Sequence, residues 1–187
     1  MNRDALLHVL RAASEIAGGD VELLLLGSQA VLGAVESDNP ALARSMEADV
    51  AALTPDSALA ERIADQLSGA IGEGSNFSDL HGYYVDGVQV ETARLAPGWE
   101  QRVSTIQFDA YGQTRTARCI SPEDLAVSKL LAGREKDYEF VDALLDERIV
   151  SASAVRDLLA TVQADPAQAR ADAWIEVRVD RAPRQGR

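Results

Sequence analysis

Cysteine is all but missing from this 187-residue chain, and the single copy, Cys119, excludes an internal disulfide framework. One thiol suits a reducing compartment. With no Cys or His at metal-ligand spacing, Cys119 reads as a small core residue. Lysine is nearly as scarce: Lys129 and Lys136 stand against sixteen arginines. Aromatic residues make up only 5%. Long apolar runs are lacking as well. Leu23 to Leu26 is far too short to cross a bilayer, and the first residues have no basic, apolar and cleavage regions in series. A cytoplasmic protein is therefore expected. Positive charge is in deficit, at a formal net charge of −12, which excludes a general binder of nucleic acid or anionic membranes. What remains is an ordinary globular composition, 47% hydrophobic and 26% charged. A chain of this length buries roughly 70% of its unfolded surface, so neither disulfides nor a structural metal is needed to fold it.

The acidity is uneven. Residues 1–87 carry a net charge of −10, residues 88–136 of +1 and residues 137–187 of −3. An anionic substrate would have to meet the middle third. Leu6, Leu7, Val9, Leu10, Ala13 and Ile16 form one helical stripe, ended by Gly18-Gly19. Val21 to Leu26 has the length and continuity of a buried central strand. Gly27-Ser28 turns it into a short helix reaching about Val35. Met46 to Leu53 alternates like a second strand, and Thr54-Pro55-Asp56 opens a helix to about Ile71.

After a loop at Gly72–Ser78, His81 to Val85 and Val88 to Leu95 read as strands of a hairpin turned by Asp86-Gly87. Val103 to Tyr111 and Thr114 to Ile120 read as a second hairpin through Gly112-Gln113. Ser121-Pro122-Glu123-Asp124 is a helix start, with Ser at the cap, Pro in the first turn and acids behind it. The pattern stays helical to Ala173, with breaks near Val150-Ser151 and Asp165-Pro166. The expected organisation is an α/β core over residues 1–120, a helical lobe over 121–174 and a frayed basic tail over 175–187.

Three places could carry chemistry. A strand ending in Gly27-Ser28 before a helix presents free backbone N–H groups, glycine allows close phosphate approach, and the serine adds a donor. The same residues could make nothing more than a tight turn. Glu47 and Asp49, two apart on a strand, point to one face and could converge on a hard cation, or simply face solvent. Lys129 and Lys136 fall on a predicted helical stripe with Leu125 and Gly133, and could be a phosphate contact or a solvated basic face. His81, beside Tyr83 and Tyr84, reads as a packing residue, and His8 as a surface position of the first helix. Arg44 could contact a triphosphate or pair with Glu47. Trp99 and Trp174 read as packing anchors.

A Gly-Ser turn after a first strand, followed by paired acids on the next, resembles the nucleotidyltransferase superfamily over about residues 20–95. Thr92 to Trp99, Ser121 to Leu125 and Ser128 to Asp137 look like small bacterial nucleotidyltransferase-like proteins related to abortive-infection toxins. The resemblance implies an α+β nucleotidyltransferase-like fold, a mixed sheet flanked by helices with a helical carboxy-terminal lobe. It implies Mg²⁺ held by Glu47, Asp49 and a third carboxylate on a later strand, here placed at Glu91, because Asp86 is assigned to the hairpin turn. Glu47 stands where that family usually has aspartate, and Phe140 where the toxin relatives tend to have another. The resemblance further implies an NTP held by Gly27, Ser28 and Lys129, with Lys136 and Asp137 completing the site. The implied reaction moves an NMP to an acceptor hydroxyl on tRNA or protein, under control of an antitoxin protein. A binding module without transfer, or a transferase for a small cationic molecule, is the alternative.

Overall fold

The structure, a computed structural model, describes residues 1–35, 39, 42, 44–162 and 165–181. The chain forms two compact units. One comprises Met1–Ala93 with Glu100–Ser121, and the other Arg94–Trp99 with Pro122–Arg187.

The first unit is built on a five-stranded mixed sheet of order β3-β2-β1-β5-β4. Its strands are β1 (Glu22–Leu25), β2 (Glu47–Leu53), β3 (Tyr84–Gly87), β4 (Ser104–Ala110) and β5 (Gln113–Cys119). Leu23, Leu24 and Leu25 are all buried, as a strand covered on both faces requires. β1 runs antiparallel to β2 and parallel to β5. Helix α1 (Arg3–Ile16) starts where the Asn2 side chain accepts a 2.9 Å bond from the Ala5 amide. It buries Leu6, Val9, Leu10 and Ala13, the predicted stripe. Gly18 and Gly19, both at positive φ, end it as expected. His8 is not a bare surface residue. Its Nδ1 lies 2.8 Å from the Tyr83 hydroxyl, and its ring packs against Phe77 and His81. Burial, then the charges of His81 and Arg11, hold its pKa below the ordinary histidine value.

Helix α2 (Gln29–Ala34) lies so close to β5 that a Cβ on Gly33 would overlap Cys119 Sγ. Burial pushes the Cys119 thiol up to about 12. The native protein should therefore leave Cys119 unalkylated by iodoacetamide at pH 8, with modification appearing only in denaturant. Rapid alkylation of folded protein would contradict this packing.

Between β2 and β3 lie α3 (Ser57–Ile71) and α4 (Asn76–His81). The Ser75 hydroxyl caps α4 by accepting from the Ser78 amide at 3.2 Å, and Gly82, at φ 73°, ends it. Here the structure departs from expectation. Residues 72–78 are not a loop throughout, His81 is helical, and Asp86-Gly87 turns no hairpin. β3 pairs parallel with β2, returning through the helical crossover such a pairing needs. Gly87 ends the strand against α3, where a Cβ would overlap the Ala64 carbonyl oxygen. Its amide donates to Ser68 Oγ at 3.0 Å. The expected strand Val88 to Leu95 is absent, and Val90–Thr92 is a 3-10 turn. The β4–β5 hairpin forms one residue early: Tyr111 and Gly112, at φ 53° and 80°, make its two-residue turn.

The second unit consists of α5 (Pro122–Ala132), α6 (Glu135–Asp146), α7 (Ala152–Leu159) and α8 (Gln168–Arg181). Leu125, Leu130, Leu131, Val141, Leu144, Val155, Leu159 and Ile175 form its core. Gly133, left-handed at φ 67°, closes α5, so the single stripe expected through Leu125, Lys129, Gly133 and Lys136 is split between two helices. α8 continues through residues 175–181, the first part of the expected frayed tail. The Arg178 guanidinium lies 3.2 Å from the Trp174 ring centroid and pairs with Asp142 at 2.6 and 2.8 Å. Trp174 stacks on Tyr138 at 5.2 Å between ring centroids. The rest of the expected tail, residues 182–187, lies outside the described residues.

Candidate functional site

Strand register assembles the site. Asp49 stands directly opposite Asp86, and Glu47 opposite Tyr84, across the β2–β3 pair. Residues paired or two apart share a sheet face, so Glu47, Asp49, Tyr84 and Asp86 occupy one face. Ala48, Val50 and Val85, on the opposite face, are buried in the core. This alternation leaves the carboxylates no alternative direction. Ligand oxygens of Glu47, Asp49 and Asp86 all lie within 4.8 Å of one another, and each residue is half-buried.

The Gly-Ser turn meets the acids. The Leu26 amide donates to the Asp49 carbonyl at 3.1 Å, which sets Gly27 beside Asp49. A Cβ on Gly27 would overlap Asp49 Oδ2. Glycine is required here for room, since the carboxylate fills the space that any side chain would take. Ser28 has helical backbone angles and its side chain makes no capping bond to α2. Gln29, fully buried, donates from Nε2 to the Ser45 carbonyl at 3.0 Å. Ser45 Oγ in turn accepts from the Glu47 amide at 3.2 Å. The turn and the start of the acidic strand are thus tied together by two polar links.

Of the carboxylates expected at the site, Glu47 and Asp49 are brought together and Glu91 is not. Glu91 is exposed on the 3-10 turn, and the carboxylate that lies beside Glu47 and Asp49 is Asp86. Burial, followed by Glu47, Glu73, Asp86 and Asp49, raises the pKa of Tyr84. Its phenol therefore stays protonated near neutrality. A cavity of about 540 Å³ opens beside Asp86, lined among others by Ser57, Glu61, Asp65, Gln89 and Thr92. Three close oxygen donors of negative charge, with no sulfur or imidazole among them, fit a hard divalent cation such as Mg²⁺.

The expected phosphate-binding residues of the carboxy-terminal half belong to the helical unit. Lys129 Nζ lies 3.3 Å from Asp137 Oδ1 and 4.7 Å from the Phe140 ring centroid. Phe140 packs beneath the ammonium. Asp137 is fully buried and also accepts from Arg134 Nε at 2.6 Å and from the Arg134 backbone amide at 3.3 Å. It is thereby the capping residue of α6 as well as the partner of Lys129. Lys136 is exposed. Burial works against ionising Asp137, but the Arg134 hydrogen bonds and the Lys129 charge outweigh it and hold its pKa below the ordinary value. A depressed folded pKa contributes stability above the unfolded aspartate value and loses it as pH falls through the folded one. Asp137→Ala should cost about 2–3 kcal/mol near neutrality, the scale of charged hydrogen bonds lost at a buried group. That difference from the wild type should shrink at pH 3. A variant equally stable at pH 7 would refute this role.

Three carboxylates meeting beside a Gly-Ser turn on a mixed sheet could hold a divalent cation through oxygen donors alone. The chain belongs to the family described as nucleotidyltransferase of unknown function (DUF6036), which it matches over residues 4–176. No curated protein and no solved structure shows significant similarity to it.

Proposed function

We propose that the protein transfers a nucleoside monophosphate from an NTP to an acceptor hydroxyl, with Mg²⁺ held by Glu47, Asp49 and Asp86. The observation that carries this reading is the convergence of these three carboxylates beside the Gly27-Ser28 turn. A divalent cation bound there supplies charge neutralisation at the phosphate oxygens and the departing pyrophosphate. Gly27 holds open the space for Asp49 and leaves backbone approachable by phosphate. Ser28 offers a hydroxyl donor. Gln29 and Ser45 fix the position of β2 relative to the turn. Glu47 is longer than an aspartate by one methylene, ~1.5 Å of reach. Asp86, facing across from β3, completes the set with a second short acid.

The resemblance to abortive-infection toxins supports an acceptor on tRNA or protein and an antitoxin partner. The test is incubation with each α-labelled NTP, Mg²⁺ and total bacterial RNA, beside Asp49→Asn. Label in RNA or protein with the wild type alone is expected, together with growth arrest on expression that Asp49→Asn relieves. No label from any NTP, with folded protein, would overturn this acceptor class. A second reading has its own support: the cavity beside Asp86 carries Glu61 and Asp65, suited to a small cationic acceptor. Label on an amino sugar rather than on RNA would select it.

A further inference from the structure

We infer that the protein has an acceptor of its own, the hydroxyl of Tyr84, which it nucleotidylylates. The inference rests on the nucleotidyl-transfer reading above and adds a modification site to it. Tyr84 stands directly opposite Glu47 in the β2–β3 register, two residues from Asp86 and on the same face as the carboxylate trio. The residue is half-buried, neither sealed in the core nor fully in solvent. Its place in the register puts it on the face where an acceptor oxygen must arrive.

Three other hydroxyls of this unit are already engaged. Tyr83 Oη bonds to His8 at 2.8 Å, Ser45 Oγ to the Glu47 backbone, and Ser68 Oγ to the Gly87 amide. Among the described residues, Tyr84 Oη makes no hydrogen bond. An unbonded hydroxyl needs no partner broken before it attacks. In the step, Tyr84 Oη forms a bond to the α-phosphorus of an NTP. The bond from that phosphorus to the bridging oxygen breaks, and pyrophosphate leaves with the electron pair. The phenolic proton passes to a neighbouring carboxylate or to water. The product is a tyrosyl nucleotide phosphodiester.

Two measurements test this. In the first, protein incubated with Mg²⁺ and each NTP is digested and its peptides weighed. The Tyr84 peptide should gain one NMP in the wild type and in Tyr83→Phe, and nothing in Tyr84→Phe or Asp49→Asn. In the second, Tb³⁺ is titrated without nucleotide and its tyrosine-sensitised luminescence is read. Tyr84→Phe should lower the emission several-fold, because Tyr84 is the ring beside the carboxylates; removing an unbonded hydroxyl should leave the circular dichroism unchanged. Label reaching RNA or a small acceptor while Tyr84 stays unmodified would overturn the inference and leave the transfer reading standing. Label on another residue would overturn it equally. Undiminished Tb³⁺ emission in Tyr84→Phe would remove its geometric basis. No label on any acceptor would bring down the transfer reading together with it.

Discussion

Gly27→Ala should lower nucleotidyl transfer on the order of 10²-fold, the cost of moving a reacting group by about an ångström. The same substitution should cost roughly 1–3 kcal/mol of stability, the scale of overpacking a tight site. The reason is steric and local. A Cβ on Gly27 would overlap Asp49 Oδ2 and crowd its Cγ at 2.6 Å and Cβ at 3.2 Å, so the whole short side chain is in the way and not its tip alone. Either the carboxylate rotates out of the trio or the strand-to-helix turn shifts, and Gln29 and Ser45 resist the second. Gly69 provides the contrast. It lies inside α3 with no atom within 4 Å of its added Cβ. Gly69→Ala should therefore stabilise the protein by about 0.5–1 kcal/mol and leave transfer unchanged. Thermal unfolding and labelled-NTP assays on the two variants separate a placed effect from a general dislike of alanine. Equal activity of Gly27→Ala and wild type would show that Asp49 needs no such fixed position.

Asp86→Asn should abolish transfer to within a background lower by about 10²–10³-fold, as when one preorganised charge-stabilising group is removed. Glu91→Gln should leave the rate within about twofold. The two acids are five positions apart and equal in charge. Only Asp86 pairs with Asp49 across the strands and shares ligand distance with it, whereas Glu91 is exposed on a 3-10 turn. Asparagine keeps the size of Asp86 and removes its charge, so folding should be retained. The reverse result, with Glu91 required and Asp86 dispensable, would return the third carboxylate to where the sequence pattern alone puts it.

The placement of Asp86 marks the limit of what the chain makes legible. The β1 strand, the Gly27-Ser28 turn and the acidic face of β2 all follow from short-range pattern: a continuous leucine run, a glycine before a helix, an apolar–acid alternation. The third carboxylate does not. Asp86-Gly87 between two apolar stretches has the local signature of a hairpin, and nothing within those residues says otherwise. What decides the matter is distant: Gly87 packs on the Ala64 backbone and bonds to Ser68, and β3 pairs with β2 rather than with the residues after it. Helix α4 is illegible for another reason. Six residues between Ser75 and Gly82 are too few for a periodic stripe, and α4 buries no residue fully. In the helical unit, the lysine pair reads as one stripe because 3.6-residue periodicity runs through Gly133. A glycine at a helix end takes a left-handed angle that resets the face, leaving Lys129 with Asp137 and Lys136 exposed.

The central claim is that Glu47, Asp49 and Asp86 form one divalent-cation centre. It is tested most directly by titrating Mn²⁺ into the wild type, Asp49→Asn, Asp86→Asn and Glu91→Gln, and reading the free ion by electron paramagnetic resonance. The account predicts a saturable site in the wild type and in Glu91→Gln, weakened at least tenfold in both aspartate variants. A wild type without a saturable site, or aspartate variants that bind Mn²⁺ as well as the wild type does, would contradict it.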